Sequence, residues 1–179
     1  YRPKFLVDES APLAPSNFYG KSKIVAEFLS ESHPRSVVIR LTTCYTDFDH
    51  AGGNWMVSLI RRAIRGDPLT LTNGGLQFRD PLHIDDLGKL MLLLHEKKVF
   101  GETIHAGGGE RNLISLLEFV RRVDSNATIE SAPGGDFGFA FDNGKAHRLT
   151  GWEPQILLRE RIPVLVENIR AGRSGSLDA

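Results

Sequence analysis

The amino-acid sequence predicts an α/β fold, with parallel strand pairing in its first half and a smaller α+β lobe in its second. Two observations carry this reading. Segments with helical spacing alternate with short β-branched runs, and later strands are shorter and less regular. One run, residues 36–41 (Ser-Val-Val-Ile-Arg-Leu), is nearly continuously apolar, the pattern of a strand covered on both faces in a parallel sheet.

The elements follow in order. Residues 1–16, with prolines at 3, 12 and 15, read as loop. Ser16 or Asn17 is placed to cap a helix running to about residue 32, where Ile24 with Phe28 and Val25 with Leu29 form an apolar stripe. His33-Pro34 ends it, because the residue before proline resists the helical region. The strand at 36–41 comes next, and 42–53, rich in Thr, Asp and Gly, reads as loop. Residues 54–66 form a helix with Met56, Leu59, Ile60, Ala63 and Ile64 on one side and arginines 61, 62 and 65 on a solvated face. A short strand at 69–72 leads into an Asn-Gly-Gly turn, and 77–84 is extended. A helix opens at Asp85, with acids at the end its dipole favours, and runs to about Lys97. A strand at 102–106 and a glycine cluster at 107–109 follow. Ser115-x-x-Glu118 has the capping-box form and opens a helix to about 123. A strand at 128–131, a loop at 133–143, a short helix at 145–150 ended by Gly151, and an amphipathic helix at 156–171 containing Pro163 complete the chain before a frayed tail.

Composition narrows the function classes. The chain has 179 residues, enough for a buried core, and its 22 basic and 22 acidic side chains cancel. Zero net charge gives no general pull toward nucleic acid or an anionic membrane. One cysteine, Cys44, forms no internal disulfide. The longest apolar run, residues 90–94, falls far short of the roughly 20 residues a bilayer span needs. A cytoplasmic protein with neither nucleic-acid nor membrane partners is the expectation.

Tyr19-Gly-Lys-Ser-Lys23 carries the sharpest chemistry. Tyr19 and Lys23 are four residues apart and share one helix face. A phenol titrates near pH 10, so holding one as phenolate at pH 7 costs roughly 4 kcal/mol, and an adjacent ammonium lowers that cost. Such a pair suits removal of a hydroxyl proton while a nicotinamide takes a hydride. Read alone, a helix-start aromatic beside a solvated lysine accounts for the same two residues.

Other segments extend the pattern. Residues 7–27 run Val-Asp-Glu-Ser through Pro12 and Pro15 to Tyr19-Gly-Lys-Ser-Lys-x-x-x-Glu27. Val38-Ile39-Arg40-Leu41 then Tyr45, Gly75-x-Gln77-x-Arg79-Asp80-x-x-His83-Ile84-Asp85-Asp86, and Leu149-Thr-Gly-Trp-Glu-Pro154 follow in order. Together these resemble the extended short-chain dehydrogenase/reductase family, in particular its NAD(P)-dependent nucleotide-sugar epimerases and dehydratases. The resemblance implies the carboxy-terminal part of a Rossmann-like parallel sheet plus a substrate-binding lobe. It makes Tyr19 the catalytic acid/base and Lys23 its partner, both touching the cofactor. It places Thr42 and Thr43 near the nicotinamide and Arg79 on the substrate's diphosphate. For Arg79, an ion pair with Asp80 or Asp85 is the competing reading. His83 is expected to tie strand to helix, Asp85 and Asp86 to cap, and Trp152 to pack in the core.

The departures from the family pattern are specific. No glycine-rich dinucleotide turn precedes Tyr19, and glycines 107–109 lie downstream without its spacing. Tyr1 aligns with the tyrosine that follows the family's catalytic Ser or Thr. Thr46-Asp47 stand where Gly-Pro is usual, and Pro81 replaces a phenylalanine. The second diphosphate arginine, expected shortly before Gly135-Asp136, is replaced by Ala132-Pro133-Gly134. The expected division is therefore 1–66 as the remaining Rossmann-like part with the catalytic helix, 67–171 as mostly substrate lobe with interleaved Rossmann elements, and 172–179 as tail. NAD or NADP serves the complete enzyme, and the chain by itself is expected to bind a dinucleotide poorly. A nucleotide sugar is the expected substrate. A homodimer, or a missing amino-terminal half, is the expected protein partner. The rival expectation is a non-catalytic remnant or binding module.

Overall fold

The computed structural model describes residues 6–48, 54–134 and 138–173. Tyr1, the Gly135-Asp136 pair and the tail from 174 lie outside the described residues. In chain order the elements are β1 (Leu6–Val7), α1 (Phe18–Glu31), β2 (Val37–Leu41), β3 (Cys44–Tyr45), α2 (Trp55–Arg65), β4 (Leu69–Thr72), β5 (Phe78–Arg79) and β6 (Leu82–His83). They continue with α3 (Ile84–Glu96), β7 (Glu102–Ala106), β8 (Ile114–Ser115), α4 (Leu116–Val123), β9 (Ile129–Ala132), β10 (Ala140–Phe141), α5 (Gly144–Thr150) and α6 (Leu158–Arg170).

Helix starts follow local chemistry. Asn17 Oδ1 accepts the Gly20 N–H at 2.8 Å and opens α1, which decides between the two candidate caps. Asn54 Oδ1 accepts the N–H groups of Met56 and Val57 and opens α2, which Gly66 ends in the left-handed conformation. Ser115 Oγ accepts the Glu118 N–H at 3.0 Å, the forward half of a capping box. The Glu118 carboxylate reaches out to Arg159 and Arg122. His83 caps α3 through Nδ1, which accepts the Asp85 N–H at 3.2 Å, so it does tie strand to helix. The capping role expected for Asp86 is corrected. Its side chain is fully buried, and Oδ2 accepts the N–H groups of Gln155 and Ile156 at 2.9 and 2.8 Å. It thus pins the segment before α6 to the first turn of α3.

Among the described residues four strand pairings are parallel (β1 with β10, β2 with β7, β3 with β6, β4 with β9) and one, β5 with β8, is antiparallel. The second half is therefore more parallel than an α+β lobe implies. Three short strands also fall where loop was expected: β1, β3 and β10. Each has two residues, too few to show a period, and each is held by a partner far along the chain.

The core has three adjoining parts. Met56 and Ile60 of α2 meet Phe119 of α4 and Ile162 and Leu165 of α6. Leu87, Leu90 and Leu94 of α3 pack on Ile104 of β7, Ala146 of α5 and Trp152. Leu69 and Leu71 of β4 meet Ala63 and Val120. Trp152 also donates its Nε1–H to the Asp86 carbonyl at 2.8 Å, so its expected packing role holds.

Helix α1 and strand β2 differ from the rest. No residue of either is buried, which corrects the expectation of a strand covered on both faces. Val37 and Ile39 pack partly against the α3–β7 core. Arg40, on the other side, meets Glu27 of α1. One edge of β2 pairs with β7, and no strand pairs with its other edge among the described residues.

Candidate active site

Tyr19 and Lys23 lie on the first two turns of α1 and come together as their spacing predicts. Lys23 Nζ sits 5.2 Å from the centre of the Tyr19 ring, over its face. Both are exposed, Tyr19 at 69%, and Lys23 has no ion-pair partner among the described residues. Gly20 between them allows close approach: a Cβ there would come within 3.0 Å of the Pro15 side chain, so the 7–15 segment can lie against the helix start.

Below Lys23 lies a polar floor. Arg40 Nε donates to Glu27 Oε2 at 3.1 Å, and Nη2 completes the bidentate pair. His105 donates its backbone N–H to Glu9 Oε1 at 2.8 Å and stacks on Phe141, with ring centres 4.0 Å apart. Burial is the main cause holding the His105 imidazole below its ordinary pKa, so it stays neutral. These groups, with apolar residues of the 7–15 segment and Phe139, enclose a cavity of ≈520 Å³.

A second cavity, ≈370 Å³, is lined by Thr42, Thr43, Arg79, Asp80 and Phe139 among others. The structure thus gathers three of the five expected site residues in one cavity and places Lys23 in the other. Phe139 lines both, and Tyr19 lines neither. The threonine hydroxyls are turned to structural work. Thr42 Oγ1 donates to the Asp80 carbonyl at 2.8 Å, and Thr43 Oγ1 accepts the Trp55 Nε1–H at 2.9 Å. Arg79 forms neither ion pair weighed for it. Its Nη1 donates to the Phe78 carbonyl at 2.7 Å, its one hydrogen bond among the described residues.

Asp80 was read only as a possible partner for Arg79, yet it joins the strands around both cavities. Its side chain is 2% exposed. Oδ2 accepts the Phe141 N–H at 3.0 Å, and its carbonyl accepts from Gly108 N and Thr42 Oγ1. Burial pushes its carboxyl up to about 7, partly offset by the Phe141 N–H. A Cβ at Gly107 would overlap this carboxylate, and one at Gly108 the Pro81 carbonyl. Those glycines therefore serve close packing and do not cradle a phosphate. No sequence signal revealed the Asp80–Phe141 bond, since it spans 61 residues.

On the far side of β3, Asp47 pairs with Arg161 of α6, accepts from Asn168 through its carbonyl at 2.8 Å, and lies 3.5 Å from His83 Nε2. Burial would raise its pKa, but the hydrogen bond and charge of Arg161, together with His83, outweigh it and hold the carboxyl below its usual range. An acid where the family pattern has proline thus fastens the loop after β3 to the last helix. No group of three or more His, Cys, Asp or Glu suited to a metal occurs among the described residues. No described helix is long and apolar enough to cross a membrane.

Nicotinamide fit divides along the same lines. The exposed Tyr19–Lys23 face, with a Lys23 ammonium that has no ion-pair partner among the described residues, leaves donors for a ribose. The packed glycines offer nothing to a pyrophosphate.

Comparison with known proteins gives a consistent result. The family model described as "NAD dependent epimerase/dehydratase family" matches residues 2–107. UDP-glucuronic acid decarboxylase 4 of Arabidopsis thaliana is 27% identical over 169 residues, covering 89% of this chain and 38% of its own length. The dTDP-glucose 4,6-dehydratase of Neisseria meningitidis serogroup B is 28% identical over 170 residues, covering 83% and 48%. Among solved structures, UDP-glucuronic acid 4-epimerase from Bacillus cereus in complex with UDP-glucuronic acid and NAD superposes with a TM-score of 0.81 at 26% identity, covering 93% of this chain and 56% of that one. The chain spans about half the length of the curated relatives it matches, or less.

Proposed function

The chain belongs to the NAD dependent epimerase/dehydratase family, and from that premise we propose that it supplies the carboxy-terminal, proton-transferring part of an enzyme acting at a sugar carbinol of a nucleotide sugar. The observation that carries this reading is the exposed Tyr19–Lys23 pair, with Lys23 Nζ 5.2 Å from the Tyr19 ring and without an ion-pair partner among the described residues. NAD or NADP, when bound, accepts a hydride from the carbinol carbon. Tyr19 takes the hydroxyl proton as the carbonyl forms, and returns a proton if the carbonyl is reduced again. Lys23 holds the cofactor ribose. Arg79, whose guanidinium has donors left after its single bond to Phe78, holds the diphosphate from the second cavity. Thr42 and Thr43 shape the wall near the nicotinamide without spending their hydroxyls on it. In this reading residues 1–66 complete a Rossmann-like domain and 67–171 form most of the substrate lobe. In this reading the dinucleotide cradle is supplied by a separate amino-terminal half.

The test is reconstitution. The chain is mixed with a separately expressed amino-terminal half carrying the glycine-rich turn, with NAD and either UDP-glucuronic acid or dTDP-glucose. Turnover is expected from the mixture, and Tyr19→Phe is expected to reduce it by roughly 10²–10⁴-fold. Micromolar NAD affinity of this chain alone, measured by calorimetry, contradicts the division of labour. Undiminished turnover in Tyr19→Phe contradicts the catalytic assignment.

A second reading, a self-associating binding module, is favoured by one feature. Phe18, Val25, Phe28 and Leu29 are all exposed on α1, a patch that a second copy would cover. A concentration-dependent mass by light scattering supports it, and a monomer at high concentration removes it.

A further inference from the structure

We propose that the ≈520 Å³ cavity beneath Lys23 binds a planar, apolar organic acid, a ring system carrying one carboxylate or sulfonate. The inference goes beyond the hydride-transfer reading and does not depend on it. The volume falls within the range of about 300–1,000 Å³ typical of small-molecule sites. Three features select the ligand class.

The walls are apolar and partly aromatic. Pro12, Leu13 and Pro15 face Ile24 of α1. Phe139, tilted 38° from Phe141 with ring centres 5.5 Å apart, extends the His105–Phe141 stack into an aromatic wall. An aromatic ring packs favourably against such a wall.

The charge inside is already compensated, except at one point. Three ionised side chains line the cavity: Lys23, Glu27 and Arg40. Glu27 and Arg40 neutralise each other through a bidentate pair, with side chains only 14% and 18% exposed. Arg40 Nη1 points further toward the Glu9 carbonyl and His105 Nε2, both at 3.5 Å. His105 is neutral, and the Glu9 carboxylate is engaged by the His105 backbone N–H. The exposed Lys23 is thus one unmatched positive charge beside an apolar slot. A ligand with its ring inside and its acid on Lys23 satisfies both features. A neutral hydrocarbon leaves the ammonium unmatched, and a polyanion finds no second uncompensated cation among the lining residues.

The floor is cross-linked. Its ion pair joins α1 to β2, and the His105 bonds join β7 to residues 7 and 9. These bonds connect the elements that line the cavity, which lowers the ordering cost of binding.

The test is an amide chemical-shift titration of the whole chain with naphthoate, in the absence of NAD. A Kd on the order of 1 mM or tighter is expected, with shifts at Ile24, His105, Phe139 and Phe141. The neutral analogue naphthalene-methanol is expected to bind about fivefold more weakly, and Lys23→Gln to weaken naphthoate by a similar factor. Leu13→Glu, a change at an exposed rim position, introduces a like charge and is expected to weaken naphthoate further without loss of folded dispersion. Phe28→Ser, on the outer face of α1, is expected to change nothing. The proposal is overturned by the absence of saturable shifts, by shifts that follow Phe18 and Phe28, or by naphthoate affinity unchanged in both Lys23→Gln and Leu13→Glu. Because no cofactor or sugar is present, none of these outcomes bears on the catalytic assignment.

Discussion

Helices α1 and α6 are of similar length and both carry apolar residues at helical spacing, yet they meet opposite fates. In α6, Leu158, Ile162, Leu165 and Val166 are buried against α2 and α4. In α1 no residue is buried, and Phe28 remains 72% exposed. The same contrast runs through a single strand pair. β7 is buried from Ile104 onward, whereas its partner β2 is not buried anywhere. Apolar periodicity therefore identifies a helix without saying whether this chain supplies the surface that covers it. The stability of the molecule is concentrated in the α2–α4–α6 and α3–β7 cores. The Tyr19–Lys23 pair sits on a helix with no buried residue.

The largest expected effects probe the well-packed side of this comparison. Ile162→Ala deletes a side chain with 1% exposure and is expected to destabilise by about 2–5 kcal/mol in urea unfolding, through lost transfer energy and the cavity left behind. Asp86→Ala leaves the Gln155 and Ile156 N–H groups without their acceptor, at an expected cost of about 1–3 kcal/mol.

A smaller effect is tied to pH. The Asp80 carboxyl is pushed up to about 7 by burial, above the value near 3.9 of an unfolded aspartate. The folded state then binds this proton more tightly than the unfolded state. Its contribution to stability is full below about pH 4 and is lost as pH rises through about 7. The urea midpoint is expected to fall between about pH 5 and about pH 8, and Asp80→Asn, which keeps an acceptor for the Phe141 N–H, to flatten that fall. An equally steep fall in the variant would assign it to another group.

The smallest effect lies on the other side of the comparison. Phe28→Ser on α1 is expected to change stability by no more than about 0.5 kcal/mol. A loss comparable with that of Ile162→Ala would mean that the outer face of α1 is covered in solution.

What was legible in the sequence follows the range of the interactions. Asn17 and Ser115 mark helix starts through bonds to N–H groups three positions away, so their roles were visible locally. The spacing of Tyr19 and Lys23 gave their common face for the same reason. Two-residue strands such as β3 and β10 could not be read, because their pairing is decided by His83 and Val7, far along the chain. The Asp80–Phe141 bond, the Asp86 clasp and the Asp47–Arg161 pair are likewise long-range. The Thr42 and Thr43 hydroxyls bond to Asp80 and Trp55, residues whose proximity only the fold creates.

The central contrast, a closed lobe beside an uncovered helix α1, is tested most directly by amide hydrogen exchange on the chain at low concentration. Amides of α4 and α6 are expected to exchange only through global unfolding, while those of α1 exchange through local opening at much lower free energy. Adding the amino-terminal half is expected to raise protection in α1 and β2 specifically. Protection of α1 equal to that of α6 in the isolated chain would contradict the account.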